Sequence, residues 1–276
     1  MRQIAPGMVM LLALDRANSV MRITEEHLRK WGVDADMVFG VAQANLRKRS
    51  TKGLVSLSPS VFTSDWGDTY GSSRVLLTEL FRSLPVKGAP IVMLPNRDVL
   101  LVTGSHDEAG LRLLAEYARR VLNDPRPLTA RTLRLEGEAW CEYIPDTGRP
   151  GEAELREVQE IHAGREYAEQ KELLDKINQK AGIDIFVASH MIRHERESGR
   201  FIDSLATWSK GVDTLLPRVQ TIAFVQGHDL PIISAPWERV LSVAGDLLTP
   251  TEYWPERFHV RSFPTDEQLE RIATAE

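Results

Sequence analysis

"IVMLPNRDVLLV", residues 91–102, sets a polar Asn-Arg-Asp triplet between two apolar runs that are each too short for a helix. Short runs rich in Ile, Val and Leu on either side of turn-forming residues predict a β-hairpin. Pro95 suits the first central position of a tight turn, and Asn96 and Asp98 suit its neighbours because their side chains can bond nearby backbone N–H groups. An antiparallel pair inside a chain that otherwise alternates helix and strand points to α+β layers and away from a purely parallel doubly wound sheet.

Working outward, "SHDEAGLRLLAEYARRVL" (105–122) reads as a helix opened by a capping box, with Ser105 as N-cap and Glu108 three positions on. A strand is expected near 131–136. Upstream, a helix is expected over about 73–83, a strand over "LVSLS" (54–58), and helical spacing over 24–48, which Gly32 splits in two. Leu28, Trp31, Val38, Val41 and Leu46 are its expected apolar positions. Met8–Leu14, an apolar run too short to span a bilayer and without a small-residue cleavage site after it, reads as a strand and the protein as cytoplasmic.

The second half echoes the first. "TIAFVQGHDLPII" (221–233) again carries a polar triplet ending in Asp, and Ser73 and Ser204 stand at the same separation as Asp98 and Asp229. "FIDSLATWSKGVDTLLP" (201–217) then answers "YGSSRVLLTELFRSLP" (70–85), which predicts a helix over about 204–215. The expectation is two tandem, diverged repeats, each in the order helix, strand, helix, hairpin, helix, strand. The first helix of the second copy is the charged stretch 152–181, its strand "IDIFVAS" (183–189), its later helix 234–248 and its closing strand 257–262. A last helix starts at a second capping box, Thr265 and Gln268. "PDTGRPGEAE" (145–154), dense in Pro and Gly, reads as the linker between domains 1–145 and 151–276.

Composition excludes several functions. The 276 residues carry a net charge of −5, which disfavours a general affinity for nucleic acid or anionic membranes. The basic run Arg47, Lys48, Arg49 and Lys52 is explained by a helix C-terminus, where cations suit the negative end of the dipole. A single cysteine, Cys141, forms no internal disulfide and no multi-cysteine metal site. There is no Gly-x-Ser-x-Gly elbow, no phosphate loop and no glycine-spaced dinucleotide fingerprint. His190 and His194 lie four apart, but the preceding "IDIFVAS" favours extended chain, the Glu of a zinc helix is missing and no third ligand can be named. His162 and His259 have no partner near in sequence, and Trp208, Trp237 and Trp254 read as core. No metal and no cofactor are expected.

Polar residues crowd "DWGDTYGSSR" (65–74). If this helix start packs on the hairpin, Asp98 accepts from Ser73 or pairs with Arg74. Ser73, Asp98, Ser204 and Asp229, shared between the halves, then read as architecture. Asp68, Tyr70, Arg74, Asn96 and Arg97 are unshared, and are the candidates for a binding site present in one copy.

"GDTYGSSRVL" followed by "PIVMLPNRDVLLV", preceded by a helix ending "AQANL", resembles the YtpQ-like family of uncharacterised bacterial proteins, domain of unknown function 1444. The resemblance covers roughly residues 5–120. It places the family's Gly-Asp-x-Tyr-x-x-Ser-Arg pattern on Gly67, Asp68, Tyr70, Ser73 and Arg74, and its Pro-Asn-Arg-Asp turn on Pro95 to Asp98. The C-terminal half departs from both patterns, and the family implies a fold without an activity.

The expected function is a non-enzymatic, two-lobed module that binds another protein through one lobe or the cleft between lobes. In one version it inhibits a toxin in the manner of bacterial immunity proteins. The alternative is an enzyme in which Arg74 and Arg97 hold a small anionic substrate and Asp68 or Tyr70 acts as acid or base. An enzyme requires those side chains to converge on one ligand position; a binding module requires an exposed apolar groove, with those side chains paired to one another.

Overall fold

A computed structural model describes residues 1–5, 7–16, 18–146 and 148–274, so Pro6, Thr147 in the expected linker and Ala275 at the end of the expected last helix lie outside the described residues. It is a mixed α+β chain that divides into two compact units, Met1–Val158 and Gln159–Glu276.

Unit 1 opens with two small hairpins, β1 (Arg2–Ala5) with β2 (Met8–Met10) and β3 (Ala13–Arg16) with β4 (Ser19–Arg22). The Met8–Leu14 run is thus shared between two strands. Helices α1 (Glu25–Trp31) and α2 (Ala35–Arg49) follow, divided at Gly32, whose φ of 62° is the left-handed conformation that ends a helix most easily at glycine. Then come β5 (Val55–Ser58), β6 (Val61–Thr63), a 3-10 turn (Ser72–Leu76), α3 (Glu79–Arg82), β7 (Pro90–Asn96) and β8 (Val99–Gly104). Helix α4 (Glu108–Val121) and the pair β9 (Thr132–Glu136) and β10 (Ala139–Tyr143) complete the layer, before α5 (Pro150–Ala181).

Six of these strands form one antiparallel sheet in the order β10-β9-β7-β8-β6-β5. The opening hairpin lies at its centre, and that position explains its composition. Ile91, Met93 and Leu101 pack with Leu111, Leu114 and Leu155 on one face, while Val92, Leu94, Leu100 and Val102 pack with Phe81 and Trp140 on the other. A strand buried on both sides must be apolar at consecutive positions, so it does not alternate. Pro95 is inside β7 and the two-residue turn is Arg97-Asp98, because the ladder continues to the Asn96–Val99 pair after a bulge.

The cap of α4 also differs from the expected one. Asp107 takes the N-cap, accepting from the Gly110 N–H at 3.0 Å, because the Ser105 hydroxyl is already accepting from the Ala89 N–H across the hairpin. The division between units falls inside α5, which is already helical at Pro150, within the segment read as a linker.

Unit 2 contains β11 (Phe186–Val187), β12 (Met191–His194), β13 (Phe201–Ser209), β14 (Thr214–Pro217), β15 (Thr221–Val225), β16 (Ile233–Pro236), α6 (Trp237–Ala244), β17 (Thr249–Pro250), β18 (Arg257–Val260) and α7 (Asp266–Ala273). Its two sheets run β11-β14-β18-β17 and β12-β13-β15-β16. Trp208, Phe224, Trp237, Val240, Val260 and Leu269 belong to its core, whereas Trp254 is exposed. The Thr265/Gln268 capping box is present.

The expected duplication does not appear. Residues 72–82 are a 3-10 turn and a helix, but their proposed counterpart is the nine-residue strand β13, in which buried Ser204, Ala206 and Trp208 alternate with half-buried neighbours. The helix expected over 204–215 is overturned by that period of two and by pairing to β12 and β15. Ser204 and Asp229 form no pair: the Ser204 hydroxyl accepts from the Gln220 N–H at 2.9 Å, and Asp229 is exposed in a loop.

Candidate functional site

The polar cluster of residues 65–74 is built around Arg74, whose side chain is completely buried in the 3-10 turn. Its two terminal nitrogens donate to both oxygens of Asp68 at 2.8 and 2.7 Å, and its Nε donates to the Ser50 hydroxyl at 2.9 Å. The guanidinium lies 4.0 Å from the centre of the Trp66 ring and also reaches the Arg49 carbonyl. Every face of the cation is therefore occupied by protein. Asp68 accepts a further bond from the Tyr70 N–H at 3.1 Å, and the Arg74 hydrogen bonds hold its carboxyl below the usual value despite some opposing desolvation. Because Ser50 and Arg49 end α2, this pair ties that helix to the 65–74 loop.

A second set of bonds joins the loop to the hairpin. The Ser72 N–H and hydroxyl both donate to the Arg97 carbonyl, at 3.2 and 2.6 Å. Asn96 accepts from the Asp98 N–H at 2.9 Å, shaping the turn, and donates to the Pro125 carbonyl at 2.8 Å. Gly71 lies so close to Asp98 that a Cβ there would stand 1.9 Å from its carbonyl oxygen. The link expected from Ser73 or Arg74 to Asp98 is made instead by Ser72 to Arg97, and the Asp98 Oδ1 atom, though buried, has no partner among the described residues.

The candidate residues therefore separate into two groups. Asp68, Arg74 and Asn96 satisfy one another or the backbone. Tyr70, Ser73 and Arg97 line an open groove of about 1180 Å³, which also takes in Ser72. Its walls come from the β2–β3 segment, α2, Leu94 at the end of β7 and the 128–133 segment. They are mainly apolar, and Leu11, Leu14, Val20, Trp31, Val41 and Leu128 leave large exposed surfaces on them. Trp31 and Val41, expected in the core, are 46% and 54% exposed; Phe39 and Leu46 are the buried side chains of α2. The sequence did hold a signal for this second face, since Val38, Val41 and Ala42 are more apolar positions than one buried stripe with Phe39 and Leu46 can use.

Tyr70 bridges the groove: its hydroxyl donates to Asp15 of β3, a bond that raises its pKa, and its ring lies 5.5 Å from the Arg49 guanidinium. No group of three or more His, Cys, Asp or Glu side chains suited to a metal occurs among the described residues. In unit 2, His190 and His194 flank and end a strand; His190 is stacked on Tyr167 with its Nε2 3.2 Å from Glu160, and His259 pairs with Asp213 of the same unit. Among the described residues no helix is long and apolar enough to cross a membrane.

No family model matches the chain, and neither a curated protein nor a solved structure does so.

Proposed function

We propose that unit 1 is a non-enzymatic protein-binding module whose groove receives a segment of a partner protein. The observation that carries this reading is the open apolar groove itself, where Leu14, Trp31 and Val41 are exposed against one another's walls at a size beyond an isolated surface hydrophobe. The polar cluster supports it by what it lacks: Arg74 and Asp68 saturate each other, so the four groups an active site would need do not converge on one ligand position. The finer readings belong to the same proposal. They are a bacterial, cytoplasmic protein of the YtpQ-like family, with a toxin as partner in the immunity-like version.

The test is affinity capture from the native host with the wild-type chain and with Val41→Asp and Leu14→Asp. A protein held by the wild type, released by both variants, and protecting α2 and residues 8–15 from hydrogen exchange when purified and added back supports the reading. Capture that is indifferent to both substitutions, or protection confined to another surface, overturns it.

A further inference from the structure

The groove changes character along its length. Helix α2 buries Phe39 and Leu46, and roughly a quarter turn away, at about 100° per residue, Val38, Ala42, Asn45 and Arg49 form a second stripe that lines the groove, flanked by Val41 and Lys48. This stripe is apolar in its first turns and cationic in its last. Arg97, exposed at the hairpin turn, lines the same groove. Among the described residues, Lys48, Arg49 and Arg97 enter no ion pair, whereas Arg2 is matched by Asp36 and Arg131 by Glu142. Of the nearby acids, Asp15 and Glu142 line the groove, Asp15 bonded by the Tyr70 hydroxyl and Glu142 paired with Arg131, while Asp68, which also acts on Arg49, is taken up by Arg74. Lys48, Arg49 and Arg97 therefore stand against Asp15, the one lining carboxylate among the described residues that is not paired with a cation, which leaves a local positive excess on a chain whose net charge is −5.

We infer that the occupant is a short helical segment of another protein, apolar along one side and acidic at the end that meets Lys48, Arg49 and Arg97. This rests on the protein-binding reading above and names the partner's chemistry. A helix laid into an apolar groove matches its contacts at intervals of three and four residues, which is the spacing that α2 presents. From Val38 to Arg49 the stripe is about 16 Å long at ~1.5 Å per residue, so the partner engages over roughly three turns. The volume of about 1180 Å³ and the open, exposed walls favour a polypeptide over a small amphiphile, whose sites are usually enclosed and on the order of 300–1,000 Å³. Arg49 and Tyr70 at the charged end are of the residue types that most often anchor interfaces.

A display library of random peptides, roughly 16 residues long to cover the groove with a turn to spare, is selected against the full chain, its Arg49→Ala/Arg97→Ala double variant and Val41→Asp. Thermal melts establish that each variant is folded. The wild type is expected to enrich peptides with apolar residues at helical spacing and Asp or Glu clustered at one end. Replacing those acids by Lys is expected to weaken binding about tenfold or more, with a penalty that shrinks as salt is raised. The double variant is expected to keep the apolar pattern and lose the acidic bias. Enriched peptides with no acidic bias, or a bias that survives in the double variant, would overturn this inference and leave the groove as a protein-binding site. Failure of the wild type to enrich anything over Val41→Asp, or saturable binding of dodecanoate in the groove with no peptide enriched, would overturn both.

Discussion

Arg74 and Asp68 form a two-pronged ion pair in which the arginine side chain has no exposure to solvent and both partners sit within the same loop and turn. Such a pair is a strut, because removing one member leaves the other charged and without its partner. Arg74→Ala is expected to destabilise unit 1 by about 3–5 kcal/mol. Arg74→Lys is expected to recover only part of that loss, since an ammonium cannot donate to both Asp68 oxygens and to Ser50 while lying flat on Trp66. Urea unfolding of the three proteins measures this; equal stability of Arg74→Lys and wild type would contradict the geometry.

The same pair gives a pH dependence whose sign can be stated. Asp68 has a folded pKa below its ordinary value, chiefly through the Arg74 hydrogen bonds. A depressed carboxylate contributes stability that is fully present above the unfolded pKa of about 4 and is lost as pH falls through the folded value. The stability gap between wild type and Asp68→Asn is therefore expected to be flat above about pH 5 and to narrow steadily below pH 4. A gap that stays constant across that acid range would show that ionisation of Asp68 is not what supports the fold.

Gly71 and Gly67 offer a paired test of steric against conformational cost. Gly71 has ordinary right-handed helical dihedrals, so alanine there is unstrained in itself but drives its Cβ into the Asp98 backbone. Gly67 has a φ of 67° and open space around it. Gly71→Ala is expected to cost about 3 kcal/mol or more and to displace the Arg97 turn. Gly67→Ala is expected to cost about 1 kcal/mol. Thermal melts of both variants give the comparison, and similar losses would mean that the contact at Gly71 relaxes freely.

These contacts also mark where the sequence was legible. The hairpin over 91–102 could be read because a central strand carries an unbroken apolar run, and the Gly32 split because a helix end needs a left-handed residue there. β13 could not. Phe201, Leu205 and Trp208 also fit helical spacing, while the buried members of its true alternation include small Ser204 and Ala206, which carry little hydrophobic signal. Pairing with β12 and β15 decides the matter, and that is a tertiary fact. The same holds at the site. Asp68 and Arg74 are six residues apart and could be paired on paper, but the groove needs Asp15, Val41, Tyr70 and Leu128 brought together from four distant segments.

Unit 2 has a buried cation of a different kind. Arg257, almost fully buried in β18, donates to the carbonyls of Ala188 and Leu215 at 2.9 Å each and to the Gln170 side chain, and desolvation pulls its pKa down to about 10. No carboxylate bonds it directly among the described residues, so it serves as a hub for backbone acceptors. Arg257→Met fills similar volume but takes the donor from the Ala188 carbonyl and from the Gln170 side-chain oxygen, while the Leu215 carbonyl keeps the Ala188 N–H at 3.1 Å; the cost is about 1–3 kcal/mol for each unsatisfied group. The expected result is a loss of about 3 kcal/mol, with hydrogen-exchange protection falling in β14 and β18 and unchanged in β7 and β8. Uniform loss across both units would contradict a local role.

Tyr70 and Asp15 close the groove at its cationic end, and the titration of the phenol reports on that closure. The hydrogen bond to Asp15, more than burial or charge, raises the Tyr70 pKa above its ordinary value of 10. A raised tyrosine pKa contributes stability that is complete below about pH 10 and disappears as pH rises through the folded value. Phenolate absorbance isolated by subtracting Tyr70→Phe is thus expected to appear at higher pH in the wild type than in Asp15→Asn. In Asp15→Asn the bond to a charged acceptor is gone, and the β3–β4 hairpin is expected to exchange its amide hydrogens faster while global stability changes by less than about 1 kcal/mol. If Tyr70 titrates identically in the two proteins, Asp15 does not hold it, and the hairpin is anchored to the groove by its apolar side chains alone.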